Sequence, residues 1–126
     1  MPAVLIIDDD PQFRYMLAET FRDEGFEVDE APDGKKGLRA YRAAPSDIVI
    51  VDMIMPEQEG VETIMAFRKE FPAVPIIAIS GGGRLSSLPY LELALQFGAA
   101  RVFTKPFDRK QFLAAVRELL DPEPHH

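Results

Sequence analysis

Four short apolar runs, each closed by a polar residue, constrain this chain more than any other feature. Ala3-Val4-Leu5-Ile6-Ile7 runs into Asp8-Asp9-Asp10, and Ile48-Val49-Ile50-Val51 into Asp52. Ile76-Ile77-Ala78-Ile79 ends at Ser80, and Val102-Phe103-Thr104 at Lys105. Runs this short, rich in β-branched residues, suit strands buried on both faces of a parallel sheet. Glu27-Val28-Asp29-Glu30-Ala31 alternates instead and reads as an edge strand.

Helix-period stretches separate the runs. Phe13, Met16, Leu17, Thr20 and Phe21 follow the i, i+3, i+4 rule, with Asp10 as cap, Pro11 at the first position and Gly25 at the stop. Leu38 and Tyr41 mark a second helix, ended by Pro45; Val61, Ile64, Met65 and Phe71 mark a third. Leu88, Leu91, Leu95 and Phe97 mark a fourth, stopped by Gly98; Phe112, Val116, Leu119 and Leu120 mark a fifth, with Asp108 and Gln111 placed like a capping box in which Asp replaces the usual Ser or Thr. Strand–helix alternation with short connections predicts an α/β fold: a doubly wound parallel sheet of five βα units. Right-handed crossovers favour the flavodoxin-like strand order 2-1-3-4-5.

Composition limits the function. At 126 residues the chain suits one domain, expected over 1–121 with a tail over 122–126. A net charge of −7 argues against nucleic-acid binding, which needs clustered Lys and Arg. No apolar run approaches the roughly 20 residues that span a bilayer, and the start lacks a basic signal region, so a cytoplasmic location is expected. Without cysteine, thiolate chemistry and disulfides are excluded; the two histidines, His125 and His126, sit in the tail and read as a possible tag remnant.

Ligands of open parallel sheets bind beyond the carboxyl ends of the strands. In the expected order, Asp8, Asp9, Asp52, Ser80 and Lys105 converge there. Singly, each has a plain reading: Asp10 as a helix cap, Asp8 and Asp9 as a polar strand end, Ser80 and Lys105 as solvated loop residues. Together they call for compensation, because crowded carboxylates raise one another's pKa. A lysine ammonium and a divalent cation serve, and hard oxygen donors favour Mg²⁺.

At this point the residues resemble a known family. Ile6-Ile7-Asp8-Asp9-Asp10-Pro11, Asp52-Met53-Ile54-Met55-Pro56, Ser80-Gly81 and Lys105-Pro106-Phe107 are similar to the receiver signature of response regulators, the chemotaxis-regulator-like switches of two-component signal transduction. The resemblance covers residues 3 to 120. It implies a phosphorylation switch rather than a turnover enzyme, with Asp52 as phosphoacceptor. It implies Mg²⁺ held by Asp9, Asp52 and the backbone carbonyl of Ile54, with Asp8 acting through water. Ser80 and Lys105 would contact the phosphoryl group, and a cis peptide is expected at Lys105-Pro106. The implied donor is a sensor histidine kinase, a histidine phosphotransfer protein or a small phosphodonor. The implied readout is a downstream effector at the face made by the fourth helix, fifth strand and fifth helix.

Two departures from the pattern stand out. Val102 occupies the usual aromatic switch position, and Phe103 should point to the opposite face. The loop Gly81-Gly82-Gly83-Arg84-Leu85-Ser86-Ser87 is glycine-rich, which shifts the expected output toward that loop and the fourth helix. Ile54 and Gly82, at the positions flanking attacking water in receivers, offer no polar side chain, so a long-lived aspartyl-phosphate is expected. The rivals are a haloacid-dehalogenase-type phosphatase, a flavodoxin-like cofactor binder and a phosphorylation-independent interaction module. The first lacks a second Asp two residues after Asp52. The second lacks a hydroxyl-rich phosphate loop.

Overall fold

Each apolar run becomes a strand and each periodic stretch a helix. In the computed structural model these are β1 (Ala3–Ile7), α1 (Pro11–Asp23), β2 (Glu27–Ala31), α2 (Gly34–Ala43) and β3 (Ile48–Asp52). They continue as α3 (Glu59–Glu70), β4 (Ile76–Ser80), α4 (Ser87–Phe97), β5 (Arg101–Thr104) and α5 (Arg109–Leu120). The structure describes residues 1–53, 59–81 and 87–121, with the backbone alone at 59 and 87–90. The expected tail over 122–126 lies outside them.

The sheet has the order β2-β1-β3-β4-β5, with every pair parallel. β3 and β4 are buried at all five positions, as strands covered on both faces must be. β2 lies at the edge, with mostly exposed residues. Strand alternation splits the core in two. Leu5, Ile7, Val49, Val51 and Ala78 face α2, α3 and α4, where Tyr41, Ile64, Phe67 and Ala94 meet them. Val4, Ile6, Ile50, Ile77 and Ile79 face α1 and α5, where Leu17, Phe21, Phe112 and Val116 close the other side. Val102 packs with the first cluster and Phe103 with the second, so the two point to opposite faces as expected.

Helix ends follow local chemistry. The Asp10 carboxylate accepts from the backbone N–H groups of Gln12 (3.0 Å) and Phe13 (3.3 Å), and Asp108 accepts from Lys110 N–H (2.8 Å). Gly98 ends α4 at φ +124°, a conformation L side chains rarely adopt.

The periodicity overreached at three methionine and leucine positions. Met16, Met65 and Leu95, expected on buried faces, are 49%, 46% and 49% exposed. A helix laid on a sheet buries one stripe, and small residues let it sit close. Ala18 and Ala94 take those buried places, and Phe67 fills the centre that Met65 leaves. Phe71 follows α3 rather than ending it and packs on Tyr41 at 4.4 Å between ring centroids.

Arg68 ties two loops together. Its guanidinium donates to the carbonyls of Gly98 (3.1 Å), Phe71 (3.1 Å), Pro72 (3.1 Å) and Val74 (2.6 Å). Burial lowers its pKa, and the rigid fork suits several carbonyls at once. Arg68→Ala is expected to destabilise the domain by about 2–3 kcal/mol, because partly buried carbonyls lose charged donors. Urea unfolding checks this; an unchanged midpoint would show that water replaces the guanidinium at no cost.

Candidate functional site

Register brings the polar residues together. Ile7 pairs with Val51, Asp52 with Ile79, and Ser80 with Thr104, so the strand ends stand level across the sheet. Asp8, Asp52, Ser80 and Lys105 therefore line one edge. Gly60 lets α3 come close beneath: a Cβ there would lie 2.9 Å from the Asp52 carbonyl oxygen and 2.7 Å from the Met53 Cα.

Carboxylate oxygens of Asp8, Asp9 and Asp52 lie within 4.8 Å of one another. Asp8 and Asp52 are buried, and Asp9 is exposed. The Lys105 ammonium is 3.4 Å from Asp52 Oδ2 and 3.6 Å from Asp8 Oδ2. Burial, more than anything else, pushes Asp8 up to about 7, and the neighbouring Asp52 carboxylate adds to the rise. The Asp10 N–H, donating to Asp8 Oδ1 at 2.9 Å, and Lys105 oppose it. Ser80 Oγ is fully buried and has no hydrogen-bond partner among the described residues. The Lys105-Pro106 bond is cis, as expected.

Asp10 caps α1 and stands outside the carboxylate group, matching its plain reading. The expected metal contact through Ile54, and the flanking position Gly82, lie outside the described residues. Contacts of two residues were not visible in the sequence. Arg14 Nη1 donates to the Asp8 carbonyl at 2.6 Å while its Nε meets Glu30 at 3.2 Å, bracing the acidic loop. The Phe13 ring lies under the Lys105 ammonium, 3.7 Å from nitrogen to centroid. Helical spacing marked Phe13 as core and gave no sign of Arg14, because Lys105 and Glu30 arrive from other parts of the chain and the Asp8 carbonyl is backbone that no side-chain pattern marks.

The residues fit a hard cation. Three carboxylates supply oxygen donors, the exposed Asp9 side gives access, and the cluster is short of positive charge with Lys105 as its close cation. The cluster can hold a metal ion.

Residues 4–117 match the family described as the response regulator receiver domain. The chain is 36% identical over 117 residues to the transcriptional regulatory protein CseB of Streptomyces avermitilis, covering 93% of this chain and 48% of that protein. It is 31% identical over 118 residues to the transcriptional regulatory protein GlrR of Escherichia coli, covering 94% of this chain and 26% of the relative. It thus spans about a quarter to a half of these relatives. The receiver domain of the Francisella response regulator 1452 superposes with a TM-score of 0.83 at 28% identity, covering 95% of this chain and 97% of that one. With its fold and acidic strand-end site, the chain belongs to the response regulator receiver domain family, the signalling switches of two-component systems. Such domains are switches rather than turnover enzymes, which sets aside the phosphatase and cofactor-binding readings. No helix among the described residues is long and apolar enough to cross a membrane.

Proposed function

We propose that the domain receives a phosphoryl group on Asp52 with Mg²⁺ bound by Asp9, Asp52 and the Ile54 carbonyl, and by Asp8 through water. The observation that carries this is the buried Asp52 carboxylate at the end of β3, beside two further aspartates and 3.4 Å from the Lys105 ammonium. A carboxylate oxygen of Asp52 attacks phosphorus, an acyl-phosphate bond forms, and the P–N bond to a donor phosphohistidine breaks, its imidazole leaving with a proton. Bound Mg²⁺ supplies positive charge against the phosphoryl oxygens. Lys105 turns from Asp52 to the new oxygens, and Ser80 donates its hydroxyl to one of them. Its buried hydroxyl, without a partner among the described residues, supports that role.

The donor is a sensor histidine kinase or histidine phosphotransfer protein, and the domain works with it in the cytoplasm. The readout is an effector at the α4–β5–α5 face. Val102 packs, partly buried, against the core, which supports an output through α4 rather than through an aromatic switch; residues 82–86 of the glycine-rich loop lie outside the described residues. Incubation with acetyl phosphate and Mg²⁺ should add one phosphoryl group to the native domain and none to Asp52→Asn, read by intact mass. Equal incorporation in the variant would overturn the assignment.

A further inference from the structure

We propose that Phe13 is a positioning residue for phosphoryl transfer: the face of its ring holds the Lys105 ammonium between Asp8 and Asp52. The inference rests on the reading that Lys105 serves transfer to Asp52.

The two carboxylates do not settle the lysine by themselves. Its nitrogen donates one long hydrogen bond, to Asp52 at 3.4 Å, and lies 3.6 Å from Asp8, too far for a second. A four-carbon stem with free rotation leaves a charge held by one long bond several positions to choose from. The ring supplies the third side. At 3.7 Å from the centroid, the ammonium is well inside the roughly 6 Å at which a ring quadrupole attracts a cation.

Phe13 is itself held. Its N–H donates to the capping Asp10, in the same loop that presents Asp8 and Asp9. Its ring meets Phe107 edge to face at 6.2 Å and 88°, and Phe107 stacks on the buried Phe112 of α5 at 4.6 Å and 24°. The surface behind the ammonium is thus rigid. A ring also suits a lysine that must change partner. It attracts the charge without a directional acceptor, so it does not compete with phosphoryl oxygen for the ammonium protons. An Asp or Glu there would add negative charge to a crowded site and hold the lysine back.

The test compares position 13 as Phe, Tyr, Leu and a series of increasingly fluorinated phenylalanines, which weaken the ring quadrupole at nearly constant shape. Three quantities are read: the rate of phosphoryl incorporation from acetyl phosphate, Mg²⁺ affinity, and the NMR shift of the Lys105 ε-methylene in metal-free protein. Tyr should keep the native rate within about twofold, and Leu should slow it about tenfold. Rates should fall step by step with fluorination while Mg²⁺ affinity stays within about twofold, and the upfield ring-current shift of the methylene should vanish in Leu. A flat fluorination series, a native methylene shift in Leu, or Mg²⁺ affinity falling in parallel with rate would each overturn the proposal. If Leu fails to fold, the fluorinated series still decides. Absence of phosphoryl incorporation in the native protein would instead remove the underlying reading, whatever the methylene shift.

Discussion

Asp8→Asn is expected to stabilise the metal-free domain at pH 8 by about 2 kcal/mol and to leave it unchanged near pH 4. Asp8 is 2% exposed and its pKa is raised from 3.8 to about 7, first by burial and then by Asp52. The folded state therefore holds a proton that the unfolded state releases between roughly pH 4 and 7. Stability from this group is present at the acid end and lost as pH rises through that window. At about 1.4 kcal/mol for each tenfold in proton affinity, the ceiling is about 4 kcal/mol; water reaching the exposed Asp9 and Lys105 side reduces the expected gain. Mg²⁺ should narrow the difference at pH 8, since a ligand of the folded state alone stabilises it by mass action. Denaturant titrations of both proteins from pH 4 to 8 measure the effect. A difference that stays flat across that range would remove burial of a charged Asp8 as a source of instability.

Lys105→Met is expected to slow phosphoryl incorporation about 10²–10³-fold while Mg²⁺ binds several-fold more tightly. One fixed donor aimed at developing charge is worth about that much in rate. The opposite effect on metal follows from charge. The ammonium, 3.4 Å from Asp52 and 3.6 Å from Asp8, competes for oxygens that a cation needs. Lys105→Arg should recover little, because a planar fork cannot occupy the three-sided space between two carboxylates and the Phe13 ring. Stopped single-turnover labelling and Mg²⁺ titration separate the two effects. Incorporation within threefold of native, or metal binding weakened along with it, would refute this role for Lys105.

Much of the fold was legible because it is repeated and local. Strand runs closed by Asp, Ser or Lys, an Asp-Pro helix start and glycine stops each follow from chemistry within a few residues. The convergence of Asp8, Asp52, Ser80 and Lys105 could also be foreseen, since strand order alone brings carboxyl ends to one edge. Helix faces were less legible. Met16, Met65 and Leu95 fit an apolar period as well as Leu17, Phe67 and Ala94 do, but only contact with the sheet selects the stripe that is buried.

The sequence by itself thus determined the βα repeat, the strand order and the residue types at the site, because hydrophobic period and backbone chirality act over short range. Tertiary structure alone decided what surrounds each charge. Asp8 is raised toward 7 because packing buries it beside Asp52, while Asp9, its chain neighbour, remains exposed. Phe13 meets Lys105 across 92 positions of chain, and Arg68 gathers four carbonyls from two loops. Burial and partner distance are properties of packed surfaces, and no local pattern encodes which distant surface will arrive.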